Sequence, residues 1–476
     1  MQREDLTVGL CGVGLNEYWG QFAGLEDRIR GNLRRVAERL AGPRRRIVDL
    51  GLVDSAEKSV AAGHEARRED VDLLVIYVAT YALSSTVLPA VRRAKVPVLA
   101  LNLQPHPAID YAAFNALGDR TAMTGEWLAY CASCPVPEIA NVFDRSGLQF
   151  RQVTGVLEND PACWRQIESW MQAAQAARAL EQCRLGLMGH YYSGMLDVAT
   201  DLTRLCAVFG AQIEILEVDE LSAIRAGLEQ AEIESKRDSI LRTLDVQHDC
   251  DPREVMRAAR TAAALDRFVA RHNLSAMAYY YKGSGVDANE DTMSSIIVGA
   301  SLLTGGGVPI AGEYEVKNVM AMKIMDAFGA GGSFTEYYAI DFKDDVVLMG
   351  HDGPGHSRIA EGKVKVRPLR VYHGKAGSGL SVEMSVRFGP VTLLSVAEDR
   401  STGFKLVAAE GASEPGPILE IGNTNSRYRF SPGARDFINA WNEQGPAHHC
   451  AIGVGHIADK IEKLASLLGI RFVKIC

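Results

Sequence analysis

The stretch from 311 to 356 holds the densest set of side chains that could do chemistry. Glu313 follows the apolar run VPIAG, Glu336 follows the glycine turn GAGGSFT, and His351 ends the apolar run VVLMG. Each is a polar residue at the margin of an apolar segment, where α/β proteins place their active sites. Carboxylates and imidazoles form a hard oxygen and nitrogen ligand set, which suits Mn²⁺, Mg²⁺ or Co²⁺. The pattern indicates a divalent metal site, with Glu315 competing with Glu313 as the ligand. The alternative is that each of these residues is a solvated loop residue.

A pair of adjacent histidines in GPAHHC, at 445–450, is the second candidate, in a chain with only 11 histidines. Adjacent side chains point about 100° apart on a helix and to opposite faces on a strand. Two neighbours therefore rarely bind the same ion. We expect one of His448 and His449 to be a ligand and the other a support or a substrate contact. The alternative is a histidine pair on a surface loop.

The elements that must position these groups begin as an alternation of strands and helices. Over the first 160 residues, apolar runs such as LTVGLCGV and DLLVIYVAT alternate with segments of helical spacing, and the pattern restarts after about 170. This alternation predicts doubly wound parallel sheets. From about 360 the chain is rich in β-formers punctuated by Gly and Pro, which predicts an antiparallel β module closed by the helix HIADKIEKLASLLG. We therefore expect an α/β fold with domains at 1–170, 171–355 and 356–476.

The overall composition limits the class of protein. A chain of 476 residues suggests several domains. A net charge of −8 argues against nucleic acid or an anionic membrane as the main partner. No apolar run approaches the roughly 20 residues that span a bilayer. The charged start, MQREDLTVGLCGVGL, does not resemble a signal peptide, so we expect a cytoplasmic enzyme that handles a neutral substrate.

Other motifs are weaker. The nine cysteines are scattered and odd in number, which is typical of reduced thiols. The CxxC of Cys131 and Cys134 lacks the second ligand pair that a structural zinc site needs, so a zinc or redox role is disfavoured. GSGVDA at 283–288 has the spacing of a dinucleotide fingerprint but no surrounding βαβ unit, so nucleotide binding is disfavoured as well.

The order of the motifs resembles the L-arabinose isomerase family, within the wider group that includes L-fucose isomerase. The motifs are AGE, a helix, GGSFTE, an apolar run ending in GH, FGPVTLLSV, and HH with a following GH. The resemblance is good over roughly 290 to 476 and looser before it. It is more specific about the family than about the sugar.

The resemblance implies a divalent metal, usually manganese, held by two glutamates and two histidines. On this chain they are Glu313, Glu336, His351 and His449, with His448 as the alternative to His449. It also implies two Rossmann-like α/β domains followed by a β-barrel-like domain. A further implication is a homo-oligomer, hexamer or tetramer, in which a neighbour's N-terminal domain helps to close the active site.

The implied chemistry explains those residue types. Interconverting an aldose and a ketose moves one proton between C1 and C2 and another between O1 and O2. A metal chelated by adjacent substrate oxygens polarises the carbonyl and stabilises the enediolate. Glu313 and Glu336, facing each other across the substrate, would serve as base and acid. No organic cofactor is needed.

The chain departs from the family where the substrate is bound. Family members carry a Gln-containing contact after the first strand, where this chain has GVGLNEYWGQF, and a histidine where this chain has Leu117 in NALGDR. These departures leave the sugar open. Candidate replacements in the first domain are Asn16, Glu17, Tyr18, Gln21 and Asp119. His190, from the second domain, could also line the substrate pocket. For His190 the alternative is a histidine at the start of a helix.

The sequence therefore predicts a metal-dependent ketol isomerase that acts on a free pentose or 6-deoxyhexose, with Mn²⁺, or else Co²⁺ or Mg²⁺, as its metal. One alternative is an isomerase or epimerase of a different sugar on the same scaffold. Another is a non-catalytic sugar-binding protein, since paired α/β domains also form ligand clefts. The pairing of two acid/base groups with two imidazoles argues against a mere binder.

Overall fold

The computed structural model describes residues 5–283, 285–372, 375–376 and 379–476. The chain divides into two compact units, Met1–Arg178 and Ala179–Cys476. No helix within these described ranges is long and apolar enough to cross a membrane.

The first unit contains a five-stranded parallel sheet with the order β2-β1-β3-β4-β5, one of the two common orders of doubly wound sheets. Every residue of β1 and β3 is buried, as expected for strands covered on both faces. Its strands are β1 (Leu6–Val13), β2 (Arg45–Val53), β3 (Leu73–Val78), β4 (Val98–Gln104) and β5 (Phe150–Val156). Its helices are α1 (Leu25–Leu40), α2 (Ala56–Arg68), α3 (Ser84–Ala94), α4 (Tyr111–Ala116), α5 (Arg120–Leu128), α6 (Val136–Arg145) and α7 (Pro161–Glu181), the last of which contains the division between the units.

The second unit begins with a four-stranded parallel sheet of order β10-β9-β6-β7. Its strands are β6 (Arg184–Gly189), β7 (Gln212–Leu216), β9 (Ala276–Tyr280) and β10 (Ile310–Ala311), while β8 (Asp245–Val246) pairs elsewhere. Its helices are α8 (Leu202–Phe209), α9 (Val218–Ala226), α10 (Gln230–Thr243), α11 (Pro252–His272), α12 (Asp287–Met293), α13 (Ile297–Gly305) and α14 (Val316–Ala327). The strand order reverses between β9 and β6, and such a reversal opens a crevice at the carboxyl ends of the strands.

The second unit continues with a seven-stranded sheet of order β17-β20-β11-β12-β19-β18-β21, in which β17 also pairs with β18. Six of its strands are therefore paired in a closed ring. They are β11 (Ser333–Asp341), β12 (Val346–His351), β17 (Gly389–Asp399), β18 (Gly403–Glu414), β19 (Thr424–Phe430) and β20 (Cys450–Val454), with β21 (Arg471–Lys474) outside the ring. Two small sheets contain β8 with β13 (Lys365–Pro368) and β16 (Leu380–Glu383), and β14 (Val371–Tyr372) with β15 (Lys375–Ala376). The last helices are α15 (Ala434–Glu443) and α16 (Ala458–Leu468).

The predicted α/β class is confirmed, but the C-terminal sheet differs from the expected antiparallel one. It is mixed, because β21 pairs in parallel with β18. Helix α16 connects β20 to β21, and a crossover of this kind lets the chain return and enter the sheet in the parallel direction. The sheet also includes β11 and β12, which precede residue 356, because they pair with β20 and β19. The division into domains at 1–170, 171–355 and 356–476, with two Rossmann-like parts and a barrel-like part, stays a prediction.

One helix of the C-terminal part was not expected from the sequence. Helix α15 lies between β19 and β20, and its inward face consists of Ala434, Phe437 and Trp441, all of them buried. These residues are three and four positions apart, which is the spacing of an amphipathic helix. The signal was therefore present in the sequence, although the surrounding β-formers obscured it.

Gly189, the last residue of β6, gives a test of the crevice geometry. Its φ is 93°, and a Cβ there would lie 1.9 Å from the carbonyl oxygen of Tyr280 on β9. Gly194 has a similar φ of 98°, but a Cβ added there would have nothing within 4 Å. Gly194→Ala should therefore destabilise the protein by roughly 1–2 kcal/mol through backbone strain alone. Gly189→Ala should cost at least roughly 1–3 kcal/mol more, because the backbones of β6 and β9 must separate.

Urea unfolding of both variants measures the difference. Equal unfolding free energies for the two variants would contradict the close approach of Gly189 to β9.

Candidate functional site

Three strand ends of the parallel sheet in the second unit converge on one crevice. His190 follows β6, Tyr280 ends β9, and Glu313 comes two residues after β10. The ring of His190 stands perpendicular to that of Tyr280, with centroids 5.2 Å apart. No described helix starts at His190, so the alternative of a helix-start histidine is wrong. The topology thus places His190 and Glu313 at the edge where doubly wound sheets bind ligands.

The backbone at Glu313 has an uncommon conformation. Glu313 and Tyr314 have φ values of 57° and 58°, in the left-handed region that non-glycine residues seldom adopt. Two backbone hydrogen bonds hold it: the N–H of Tyr314 donates to Tyr279 O of β9 at 2.9 Å, and that of Glu315 closes a local turn by donating to Gly312 O at 3.0 Å. Strain of this kind costs of order 1–3 kcal/mol per residue and tends to cluster at functional sites.

Glu313 lies between two histidines from distant parts of the chain. Its Oε1 is 3.9 Å from Nε2 of His351, and its Oε2 is 3.4 Å from Nε2 of His449. Phe334 packs against both imidazoles, with ring centroids 4.0 Å from His351 and 4.6 Å from His449. The apolar ring restricts how far either imidazole can turn away from the carboxylate.

These distances fit a shared cation better than hydrogen bonds. Both exceed the usual hydrogen-bond length of about 3.2 Å. Ligand atoms that each lie about 2.1 Å from one divalent ion are separated by roughly 3.0–4.2 Å, depending on the angle at the ion. Within the described chain, the buried Oε2 of Glu313 also accepts no hydrogen bond. Among the described residues, Glu313, His448 and His449 form a set whose potential ligand atoms all lie within 4.8 Å of one another, so these three could hold a divalent metal. His351 lies beside them, with its Nε2 3.9 Å from Glu313 Oε1.

Glu336 adds a second carboxylate to this cluster. It lies on β11 opposite Gly350 of β12, the residue before His351. Burial raises the pKa of Glu313 to about 7, and the negative charge of Glu336 contributes to the increase. Burial also lowers the pKa of His449 to about 2, so its imidazole is neutral, the form that binds metals.

The two adjacent histidines occupy different environments. The side chain of His449 is 1% exposed, whereas that of His448 is 35% exposed and has its Nδ1 2.6 Å from Oδ2 of Asp197. Even so, one nitrogen of each histidine and an oxygen of Glu313 all lie within 4.8 Å of one another. The pair forms a bend before β20, so the geometry of helices and strands does not separate the two side chains.

Glu315, the competing carboxylate, lies on the other side of His449. Its side chain is 0% exposed, and its Oε2 is 3.5 Å from Nδ1 of His449, whereas Glu313 faces Nε2. Burial raises the pKa of Glu315 to about 7, although the nearby ammonium of Lys317 opposes the increase. Glu315 also belongs to a second cluster, with Asp197 and His448, whose potential ligand atoms lie within 4.8 Å of one another.

A cavity of about 590 Å³ opens beside the cluster. Glu313 and His351 line one part of it, and the consecutive tyrosines at 279–281 line another. The ring of Tyr280 is also 4.7 Å from that of Tyr192. The cavity therefore combines an aromatic wall with the carboxylate and imidazole groups.

The candidate contacts from the N-terminal part lie in the first unit. Asn16, Glu17 and Tyr18 form a short 3-10 helix after β1, at the carboxyl edge of its sheet, and the side chain of Gln21 donates to Glu17 O at 2.8 Å. Asp119 caps helix α5, accepting a hydrogen bond from Ala122 N at 2.7 Å. Asp119 thus has a structural role that its position in NALGDR did not suggest.

Sequence reasoning missed three residues that contact this cluster. Phe334 separates the imidazoles from the core, Lys317 approaches Glu315 at 3.2 Å, and Asp197 binds His448. A lysine four positions after Glu313, in the apolar first turn of a helix, was the available signal for Lys317. Nothing in the local sequence marks Asp197, which is 251 residues from His448.

Comparison with known proteins finds distant relatives that each match about two thirds of the chain. The chain is 21% identical over 323 residues to a sulfoquinovose isomerase of Alkalicoccus urumqiensis, covering 67% of this chain and 70% of that protein. It is 22% identical over 349 residues to an L-arabinose isomerase of Serratia proteamaculans, covering 69% of this chain and 68% of that protein. An L-arabinose isomerase of Bifidobacterium longum is 21% identical over 356 residues, covering 71% and 68%.

The match to a family is localised in the C-terminal part. Residues 331–471 match the L-arabinose isomerase C-terminal domain. This range contains Glu336, His351 and both adjacent histidines, while Glu313 precedes it. The resemblance predicted from the motifs is therefore confirmed: the chain is similar to L-arabinose isomerases, and residues 331–471 match the C-terminal domain of that family.

Proposed function

We propose that this chain is a metal-dependent aldose–ketose isomerase that acts on a free pentose or 6-deoxyhexose, such as an L-arabinose-like sugar. The observation that carries the proposal is the position of Glu313, with Nε2 of His351 and of His449 at 3.9 and 3.4 Å from its two oxygens. The relatives support the reaction class, since they are an L-arabinose isomerase and a sulfoquinovose isomerase, both sugar isomerases.

The residues that would hold the metal are Glu313, Glu336, His351 and His449. We propose Mn²⁺, with Co²⁺ or Mg²⁺ as substitutes, because the set combines carboxylate oxygens with imidazole nitrogens. When bound, such an ion polarises a carbonyl and stabilises negative charge on adjacent oxygens. Glu313 and Glu336 are close enough for the charge of one to affect the other, and a cation would relieve their repulsion.

The same two carboxylates would move the protons. One carboxylate takes the proton from C2 of the aldose, giving an enediolate, and returns it to C1. The other exchanges the proton between O1 and O2.

The cavity would orient the sugar. Its volume of about 590 Å³ accommodates a monosaccharide, and Tyr280, which lines it, offers an aromatic face for the C–H side of the ring or chain. The sulfoquinovose isomerase among the relatives keeps an isomerase of a different sugar as the alternative. We also propose a homo-oligomer, hexamer or tetramer, in which the first unit of a neighbouring copy supplies substrate contacts such as Tyr18.

An assay on aldoses tests the reaction. The Mn²⁺-loaded protein should convert at least one free aldopentose or 6-deoxyhexose to its ketose, and exhaustive chelation should abolish the conversion. Glu313→Gln should lose about 10²- to 10⁴-fold in turnover, as expected for a general acid–base group.

The matched control makes the same chemical change two residues away. Glu315→Gln should lose less turnover than Glu313→Gln, because Glu315 faces the other nitrogen of His449 and not the cavity, and glutamine keeps a polar group of the same size there. Full activity of the chelated protein, or a Glu315→Gln variant that is less active than Glu313→Gln, would contradict the proposed site.

The two adjacent histidines should respond differently to removal. His449→Ala should purify with little metal and no activity, since it removes a ligand from a set of four. His448→Ala should keep its metal and show mainly a raised KM or a moderately reduced rate, because His448 is tied to Asp197 and partly exposed.

Metal analysis of both purified variants shows which of the two histidines is the ligand. A metal-free His448→Ala beside a metal-loaded His449→Ala would reverse the assignment. Two metal-loaded variants would remove the pair from the site.

A further inference from the structure

Lys317 is a buried lysine behind the candidate site. Its side chain is 3% exposed and extends from the first turn of α14. Its Nζ donates to Asp197 O at 2.6 Å, to Ala199 O at 3.3 Å and to Thr200 Oγ1 at 3.1 Å, and it lies 3.2 Å from Oε1 of Glu315. A buried ammonium is costly unless its donors are satisfied, so the three oxygens that accept its hydrogen bonds and the nearby carboxylate of Glu315 account for its position.

On one side, this ammonium is connected to His449. Glu315 presents Oε1 to Lys317 and Oε2 to Nδ1 of His449, at 3.2 and 3.5 Å. At 3.5 Å this contact is longer than a hydrogen bond, so Glu315 acts on His449 through its charge. A negative charge beside Nδ1 favours the tautomer with its proton on that nitrogen and leaves Nε2 free to bind a cation. Nε2 of His449 is the nitrogen that faces Glu313.

On the other side, the ammonium is connected to His448. Three of the acceptors of Lys317 belong to the segment 197–200, which begins with Asp197. Oδ2 of Asp197 accepts a hydrogen bond from the backbone N–H of His448 at 3.1 Å and lies 2.6 Å from its Nδ1. Lys317 therefore fixes the backbone that carries the partner of His448.

We propose that Lys317 is a positioning residue for both adjacent histidines. Through Glu315 it sets the orientation of His449, and through the segment 197–200 it holds Asp197 against His448. The expected effect of Lys317 on metal affinity rests on the proposed function. The expected effect of Lys317 on local order around the histidines applies to the metal-free protein and is independent of that function.

A single substitution of Lys317 would leave the buried carboxylate of Glu315 without its cation. Removing one member of a buried ion pair is strongly destabilising, so Lys317→Met could fail to fold for that reason alone. The double variant Glu315→Gln/Lys317→Met removes both charges at nearly constant volume. It keeps a hydrogen-bonding group near His449 but loses the ammonium that holds the segment 197–200.

Helix α14 offers a matched control. Lys323 is a second lysine of this helix with a largely buried side chain, 12% exposed, and its Nζ lies 3.5 Å from Gly307 O and 3.8 Å from Asp326 Oδ2. Neither partner contacts the adjacent histidines through any described hydrogen bond or ion pair. Lys323→Met therefore removes a comparable charge from the same helix without touching the proposed connections.

Hydrogen exchange with mass spectrometry on the metal-free proteins tests the positioning. In Glu315→Gln/Lys317→Met, amides of 195–202 and 446–451 should exchange at least about tenfold faster than in the wild type, as local opening becomes easier. The remaining peptides, and all peptides near the histidines in Lys323→Met, should be unchanged. Unchanged exchange in both segments, or equal acceleration in Lys323→Met, would overturn the proposal.

Mn²⁺ binding, followed by electron paramagnetic resonance, tests the link to the metal. The double variant should bind Mn²⁺ about 10- to 100-fold more weakly, the usual effect of losing an outer partner of a histidine ligand. Local opening with wild-type Mn²⁺ affinity would overturn the role of Lys317 towards the metal. A wild-type protein that binds no Mn²⁺ would instead refute the proposed function, and the exchange data would still decide the positioning role.

Discussion

The carboxylate of Glu313, packed between two imidazoles and close to a second carboxylate, is the constraint on which the rest of the site depends. Burial and the charge of Glu336 both disfavour its ionised form, so the pKa of Glu313 rises to about 7. The imidazole of His449 is neutral and cannot balance the charge. A divalent cation would balance it, and the strained backbone at Glu313 and Tyr314 is the conformation that sends this carboxylate into the cavity.

The fold provides this arrangement by joining two kinds of sheet in one unit. The parallel sheet brings Glu313 to its carboxyl edge, while the seven-stranded sheet supplies Glu336, His351 and the segment before β20. A single apolar core contains residues from both sheets, among them Met277, Val347 and Leu393. The four candidate ligands therefore have rigid supports, as a site that must bind an ion and move protons requires.

Much of this arrangement could be predicted from the sequence, and the reasons are physical. Glu313, Glu336 and His351 each lie at the margin of an apolar run, and the sequence alone is enough to locate a polar residue at the end of a strand. The contacts of Lys317 with Asp197 and Thr200 link residues 120 and 117 positions apart, and no local pattern encodes them. The mutual approach of His448 and His449 depends on a bend, so the rules for regular elements did not predict it.

A crystal structure of the protein soaked with Mn²⁺, with anomalous scattering measured near the manganese edge, tests the central claim most directly. We expect one strong anomalous peak about 2.1–2.3 Å from a carboxylate oxygen of Glu313 and from Nε2 of His351 and His449, with Glu336 also in contact. A structure at saturating Mn²⁺ with no peak there, and with Glu313 in the same position as in the metal-free protein, would contradict it.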